Sequence, residues 1–366
     1  MSKPFEFLVF SDIHCHNFQY GATKVPIPGL KGLYNSRLAD TAAVLDEIRE
    51  YAYSKDIDTV FFCGDLFHRR SSVPTDVRHV VVDRLHKFVD DSITLHMIPG
   101  NHDMGDRHGN VHSLVGLGEL SDFIHVHSEV EMVAGDHPDL VFVPYSDNLE
   151  DAKSSLETAG RFLELAGAGP ALLFAHLGMQ GAKVGSDYVL VNDSDISVSD
   201  VPHSKFTACF FGHFHEHQRL FNNGWFVGAT HQHNWGDSGG SRGFLHVKMD
   251  ENGITFEQIK TSAPEFVVTR EAERVSYKPN DFVRVIVDVM KDDISFDLEA
   301  VKAKMGIKHL EVVVQPSDKG TDFVLDRTQM SPAAVLSQWV DAKLPERLDK
   351  DSALKVGREI LKEVDL

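Results

Sequence analysis

The chain has 366 residues, 42% of them hydrophobic, which is long and apolar enough for a large catalytic domain with a smaller one beside it. Its formal net charge of −19 is the reverse of what a free-standing, non-specific DNA binder carries, so any nucleic-acid surface must be local, shared with a partner or supplied by bound cations. No run approaches roughly 18 apolar residues, the N-terminal segment lacks a signal-peptide pattern, and the three cysteines make no disulfide framework; a cytosolic protein without a membrane span is expected.

In chain order, residues 5–11 read as a buried strand that runs into Asp12-Ile13-His14. The segment 18–36 is a long loop with Gly, Pro and aromatic residues, a length uncommon without a function. A helical period over 37–53 puts Leu38, Ala42, Leu45, Ile48 and Ala52 on one face. Strand 58–63 ends in Gly64-Asp65, helix 76–90 lines up Val77, Val80, Val81, Leu85 and Phe88, and strand 93–98 ends in Pro99-Gly100-Asn101-His102-Asp103. Further strands are expected at 140–144, 171–175, 207–211, 225–228 and 243–248; the second of these ends in His176 and the third in Gly212-His213-Phe214-His215. No long helix is read between these later strands, so antiparallel pairing is expected there. The alternation of strand and helix implies an α/β fold. Past residue 263 the composition changes: strands at 282–289 and 309–315 flank a short helix at 297–305, and the chain after 330 is helical. The expected division is a catalytic domain over 1–265, a small unit over 279–318 and a helical segment over 331–366.

Five strands thus deliver Asp, His or Asn at their carboxyl ends, where sites form in open α/β sheets. Any one block has a packing or turn explanation; all five in this order do not. Imidazole mixed with carboxylate favours Mn, Fe or Zn over Mg, and two ions about 3.5–4 Å apart can clamp the attacking and leaving oxygens of a displacement at phosphorus. Manganese is the expected metal. Asp65 is the natural bridge, because the glycine before it lets the backbone turn tightly. The spacing of Asp12 and His14 puts both on one side of an extended segment, His213 and His215 are likewise two apart, and Asn101 offers a neutral amide oxygen. His102 reads as a general acid rather than a ligand. His16, His217, His231 and His233 read as second-layer or surface residues, and Cys15, Cys63 and Cys209 as small buried neighbours of the motifs.

These blocks resemble the signature of the calcineurin-like metallophosphoesterases over residues 1 to about 250. The resemblance implies a two-sheet sandwich flanked by helices. It also implies one metal on Asp12, His14, Asp65 and His215, a second on Asp65, Asn101, His176 and His213, and His102 as the catalytic histidine. A narrower resemblance is to the SbcD-type nuclease subunits of double-strand-break repair, phage members included. It rests on Gly64-Asp65-Leu66-Phe67-His68, Thr94-Leu95-His96, Trp225 to Thr230 and Arg242-Gly243-Phe244. Thr230 or Ala229 stands where that branch has proline, and protein phosphatases carry Asp-Arg-Gly where this chain reads His68-Arg69-Arg70. The branch implies that His68 takes part in exonuclease action and that the small unit is a capping domain. It further implies a homodimer through helices at 76–90 and about 110–120, and an SbcC-type coiled-coil ATPase bound by the helices after 330. DNA contacts are then expected at Arg69, Arg70 and Arg107, with His108, Lys24 and Lys31 nearby, and the setting is the host cytoplasm for a phage protein. The Ser331-Pro332 start and the stripe Val335, Leu336, Trp339 and Val340 make the first C-terminal helix, and Asp351 is expected to cap the second. A small-molecule phosphodiesterase with the same metals is the alternative. The acidic charge favours it, and the hundred-odd residues beyond 270 count against it. A scaffold that keeps the fold without catalysis is disfavoured by the full set of ligand-type residues.

Overall fold

A computed structural model describes residues 4–70, 72–105, 111–135, 138–167, 169–184, 188–189, 196–270, 276–289, 302–303, 305–316, 340 and 349–363. Strand β1, Phe5–Phe10, shows how the apolar runs are used. Phe7 and Val9 face a core between two sheets, while Leu8 and Phe10 face a core under helices, so both sides of the strand are buried.

The first sheet has the order β16-β15-β1-β4-β5-β6. Its other members are β4 (Thr59–Phe62), β5 (Thr94–Met97), β6 (Ile124–Val126), β15 (Gly243–Asp250) and β16 (Gly253–Lys260). Strands β1, β4, β5 and β6 are parallel, whereas β15 pairs antiparallel with both β1 and β16. The second sheet has the order β13-β14-β12-β9-β8-β7. It comprises β7 (Glu131–Val133), β8 (Asp139–Val143), β9 (Ala171–His176), β12 (Ala208–Gly212), β13 (Gln218–Phe221) and β14 (Gly224–Phe226). The short pairs β2 (Lys24–Val25) with β3 (Tyr34–Asn35), inside the long loop, and β10 (Lys183–Val184) with β11 (Tyr188–Val189) complete this part.

Helices α1 (Ser36–Ser54) and α2 (Thr75–Asp90) cover the outer face of the first sheet, with Leu38, Leu45, Ile48, Val77, Val81 and Phe88 in its core. Helix α3, Leu149–Ala166, covers the second with Leu156, Ala159 and Leu163. The Asn35 side chain caps α1 through Arg37 N at 2.8 Å, and Asn148 caps α3 through Glu150 N at 2.9 Å. Between the sheets lies an aromatic layer in which Phe61 and Phe174 stack at 4.0 Å and Phe7 meets Phe61 edge-on at 5.2 Å. The layers are therefore helix, sheet, sheet, helix: an α/β sandwich of two mixed sheets.

Three expectations are corrected. A long helix, α3, does stand between later strands; its buried stripe includes Ala152, Ala159 and Gly160, too small to give a strong apolar period. With that crossover β8 and β9 pair in parallel, as do β9 with β12 and β12 with β14, and the antiparallel pairs of the two large sheets all involve β7, β13, β15 or β16. Residues 111–120 hold turns and one 3-10 turn, Gly118–Leu120, rather than a dimer helix.

A third sheet, β17-β18-β19, follows: β17 (Phe266–Thr269), β18 (Phe282–Val289) and β19 (His309–Pro316). It has a small core of Val283, Ile307 and Leu310. Most of the helix expected at 297–305 lies outside the described residues, as do Ser331 to Trp339. Compact units fall at 1–287 with 295–313, and at 288–294 with 314–366. In the second, α4 (Lys350–Glu363) is capped by Asp349, whose carboxylate accepts from Ser352 N at 2.8 Å, so the cap is Asp349 and not Asp351.

Candidate metal centre

The carboxyl ends of β1, β4, β5, β9 and β12 meet at one edge of the sandwich, and the backbone there is unusual. Among the described non-glycine residues with positive φ are Asp12 (51°), His14 (47°), Asp65 (64°) and His213 (105°). Such conformations cost on the order of 1–3 kcal/mol each and persist where the surroundings over-determine them, which is common at functional sites. Gly64 and Gly100 allow the close approach: a Cβ on Gly64 would overlap His176 Nδ1, and one on Gly100 would overlap Asp65 Oδ1.

Asp65 Oδ2 lies 3.6 Å from His14 Nε2 and 3.6 Å from His176 Nε2, midway between two groups of donor atoms. On one side His14 Nε2 faces His215 Nε2 at 3.1 Å, and Asp12, His14 and Asp65 bring one donor atom each within 4.8 Å of one another. On the other, Asn101 Oδ1 is 2.9 Å from both His176 Nε2 and His213 Nδ1. Asp12, His14, Asp65, Asn101 and His176 are buried.

Hydrogen bonding fixes two tautomers. His176 Nδ1 sits 2.7 Å from the Cys63 carbonyl and His215 Nδ1 2.9 Å from the Asp237 carboxylate, so both carry the proton there and both Nε2 atoms present bare lone pairs. Bare nitrogens facing oxygens at these distances suit cations, since two ligands at about 2.1 Å from one metal are about 3.0–3.4 Å apart. Turning the Asn101 amide over would satisfy the rings by hydrogen bonding instead; Oδ1 inward is the ligating orientation. The residues present fit a two-cation site: Asp12, His14 and His215 would hold one divalent ion and Asn101, His176 and His213 a second, with Asp65 within reach of both. Such ions would supply charge stabilisation at phosphorus and an activated water.

The electrostatics agree. Burial raises the pKa of Asp12, and burial together with Asp12 and Asp103 raises that of Asp65 far above the carboxylate range, a charge deficit that cations offset. Burial and neighbouring imidazoles push His14 and His176 well down and His213 to about 4, leaving neutral rings of the kind that ligate. Burial opposes protonation of His215, but Asp237 outweighs it and raises its pKa.

His102 lies beside this cluster. Its backbone N donates to Asp65 Oδ1 at 2.7 Å, and its Nδ1 meets the His68 carbonyl at 2.7 Å. Its ring packs edge-on against His14 at 4.7 Å and stacks on His68 at 5.3 Å. His68 rests in turn on Phe18, and burial with the His102 and His16 charges pushes its pKa down to about 4.

A protein-family profile described as calcineurin-like phosphoesterase matches residues 5–217. The chain belongs to this family. Among solved structures, a dimetal phosphatase from Danio rerio is 13% identical, with a TM-score of 0.41 over 70% of this chain and 97% of that one. GAP50, the anchor in the inner membrane complex of Plasmodium, is 11% identical, with a TM-score of 0.43 over 88% and 100%. A comparison with curated protein sequences gave no match.

Other residues of this calcineurin-like phosphoesterase acquire places that sequence reading missed. Asp103, fully buried, accepts Asp65 N at 2.8 Å, Gly100 N at 2.9 Å and Leu66 N at 3.1 Å on Oδ2, and Phe67 N at 3.0 Å and Ser113 Oγ at 3.2 Å on Oδ1. It stitches the second block to the third; burial raises its pKa to about 6 against the pull of these donors. Its position within Gly-Asn-His-Asp was the available signal. Asp237 had none. His233, read as a second-layer or surface residue, is buried behind the ligand-type residues, with Nε2 2.9 Å from the Asp12 carbonyl. His231 is buried against Thr230, His16 packs at a tilt against His68, and His217 bonds the Phe226 carbonyl. The three cysteines are free and buried, and burial raises their pKa.

Of the expected DNA contacts, Arg69 and Arg70 are exposed, and Arg70 Nη2 is 3.2 Å from the outer amide atom of Asn101, at the rim of the centre. Lys24 and Lys31 are exposed on the long loop, and Arg107 and His108 lie outside the described residues. No described helix is long and apolar enough to cross a membrane.

Proposed function

We propose that this phosphoesterase cleaves phosphodiester bonds in DNA as the nuclease subunit of an SbcCD-type repair or recombination complex. The observation that carries the hydrolytic part is Asp65 Oδ2, equidistant at 3.6 Å from the two groups of ligand-type nitrogens. With Nδ1 committed to the His68 carbonyl, neutral His102 keeps its lone pair on Nε2, so the ring takes up a proton before it delivers one to the leaving oxygen. Arg70 at the rim and His68 beside His102 are suited to hold a phosphate that keeps a negative charge after esterification on both sides. The DNA assignment is supported by the Gly-Asp-Leu-Phe-His block, and by a third sheet where the SbcD branch has a capping domain. Partners in this reading are DNA, an SbcC-type coiled-coil ATPase and a second copy of the chain, in the cytoplasm, with manganese as the working metal.

The net charge of −19 favours a second reading, a small-molecule phosphodiesterase. The deciding experiment incubates purified protein and Mn²⁺ with linear duplex DNA and, separately, with bis-p-nitrophenyl phosphate. Degradation of DNA supports the nuclease; turnover of the small ester alone supports the second reading; failure with both rejects phosphodiester hydrolysis.

A further inference from the structure

Asp237 lies outside all five signature blocks and beyond the segment that the family profile matches, yet its carboxylate reaches the centre. It sits at the end of a one-turn helix, Trp235–Asp237, which Asn234 caps by accepting from Gly236 N at 2.7 Å. The carboxylate side chain is 9% exposed and divides its oxygens. Oδ1 receives His215 Nδ1 at 2.9 Å, and Oδ2 receives His233 N at 2.9 Å. Arg242 stands behind it, with Nη2 3.9 Å from Oδ1 and 3.3 Å from the Asp237 carbonyl. The loop that this carboxylate fastens also presses His233 Nε2 against the Asp12 carbonyl at 2.9 Å.

A carboxylate on the far nitrogen of a ligating imidazole does three things. It fixes the tautomer, it orients the ring and it raises the basicity of the nitrogen that faces the metal. His215 needs all three. Its side chain is 29% exposed, against 3% for His14 and 0% for His176, so packing holds this ring least tightly of the three. We infer that Asp237 is the positioning residue of the metal centre, acting through His215 and setting the affinity of the Asp12–His14–His215 side for its cation. Arg242 holds the turn in place by donating to the Asp237 carbonyl. This assignment rests on the two-metal reading above, and it deepens that reading by placing the control of one ion in a loop that the ligand motifs do not contain.

The experiment is a titration of metal-free protein with Mn²⁺, followed calorimetrically. Wild type should bind two equivalents. In Asp237→Ala one of them should weaken roughly 10–100-fold, with Asp237→Glu recovering part of the loss. In the background of His215→Ala, removing Asp237 should change Mn²⁺ affinity no further, because its effect passes through that ring. A separate readout uses the wild-type chain: its imidazole nitrogen spectrum, taken metal-free and with diamagnetic Zn²⁺, should show His215 protonated at Nδ1. Mn²⁺ affinity unchanged by Asp237→Ala, an additive double variant, or His215 protonated at Nε2 in wild type would each overturn the assignment and leave the metal centre standing. A wild-type chain that takes up no Mn²⁺ overturns the centre and the assignment together.

Discussion

Replacing Asp103 by alanine should unfold this protein far more readily than any change at a ligand. The carboxylate is fully buried and takes four backbone N–H groups and one hydroxyl. Each buried donor left without a partner costs about 1–3 kcal/mol, so four N–H groups set an upper range well above what relaxation and an entering water give back. A net loss of about 4–5 kcal/mol follows, at the top of the range for single substitutions. Asparagine gives a built-in comparison. Its oxygen can stay on the Oδ2 side, where three N–H groups point, while its NH₂ faces Phe67 N and finds only Ser113 Oγ. One donor is then unmet, and the expected cost is about 2 kcal/mol. At about 2–4 °C per kcal/mol for a domain of this size, the melting temperature should fall by roughly 8–20 °C for Asp103→Ala and roughly 4–8 °C for Asp103→Asn. Calorimetry in excess chelator keeps metal binding out of the comparison. If metal-free Asp103→Ala melts within 2 °C of wild type, the stitch between the second and third blocks is not structural and the argument fails. If asparagine costs as much as alanine, the division of donors between the two oxygens is wrong.

Asp65→Ala should abolish metal-dependent cleavage and Mn²⁺ uptake, while His102→Ala should lose cleavage and keep both ions; a metal count of zero in the His102 variant would contradict its place beside the ligands. Reversing the charge at Arg69 and Arg70 together should weaken DNA binding and flatten its salt dependence, so an unchanged slope in a fluorescence titration removes this rim from the DNA surface. Sedimentation at micromolar concentration should show a dimer, and a single 40.8 kDa species would reject it. Deleting residues 331–366 should leave a folded, Mn²⁺-binding hydrolase that no longer co-purifies with a coiled-coil ATPase partner; an insoluble product would show instead that the segment belongs to the main fold.

Sequence reading recovered the parts of this molecule that are written locally. Each ligand-type residue sits at the end of an apolar strand or within four positions past it, and strand ends are legible because alternation and apolar runs stop there. The strand pairing was less legible. Whether β8 and β9 run parallel depends on α3, whose contact face is partly Ala and Gly and leaves little periodic signal. Asp103 lay within a legible block but its role did not show, and Asp237 had no signal at all. An aspartate that holds backbone N–H groups and one that orients an imidazole look alike in sequence, and only the arrival of Asp65 N or His215 Nδ1 tells them apart. The edge strands β7 and β13 and the strand β17 are three or four residues long and lie in polar surroundings, which hides them from any periodicity.

The contact between His14 and His215 joins positions 201 residues apart. A chain emerging from the ribosome therefore carries Asp12, His14, Asp65 and Asn101 well before His176, His213 and His215, and the ring that Asp237 steadies arrives last of these. A chain that stops before His213 lacks a complete donor set on either side of Asp65. The order of the strands along the chain is thus also the order in which the two donor groups are completed.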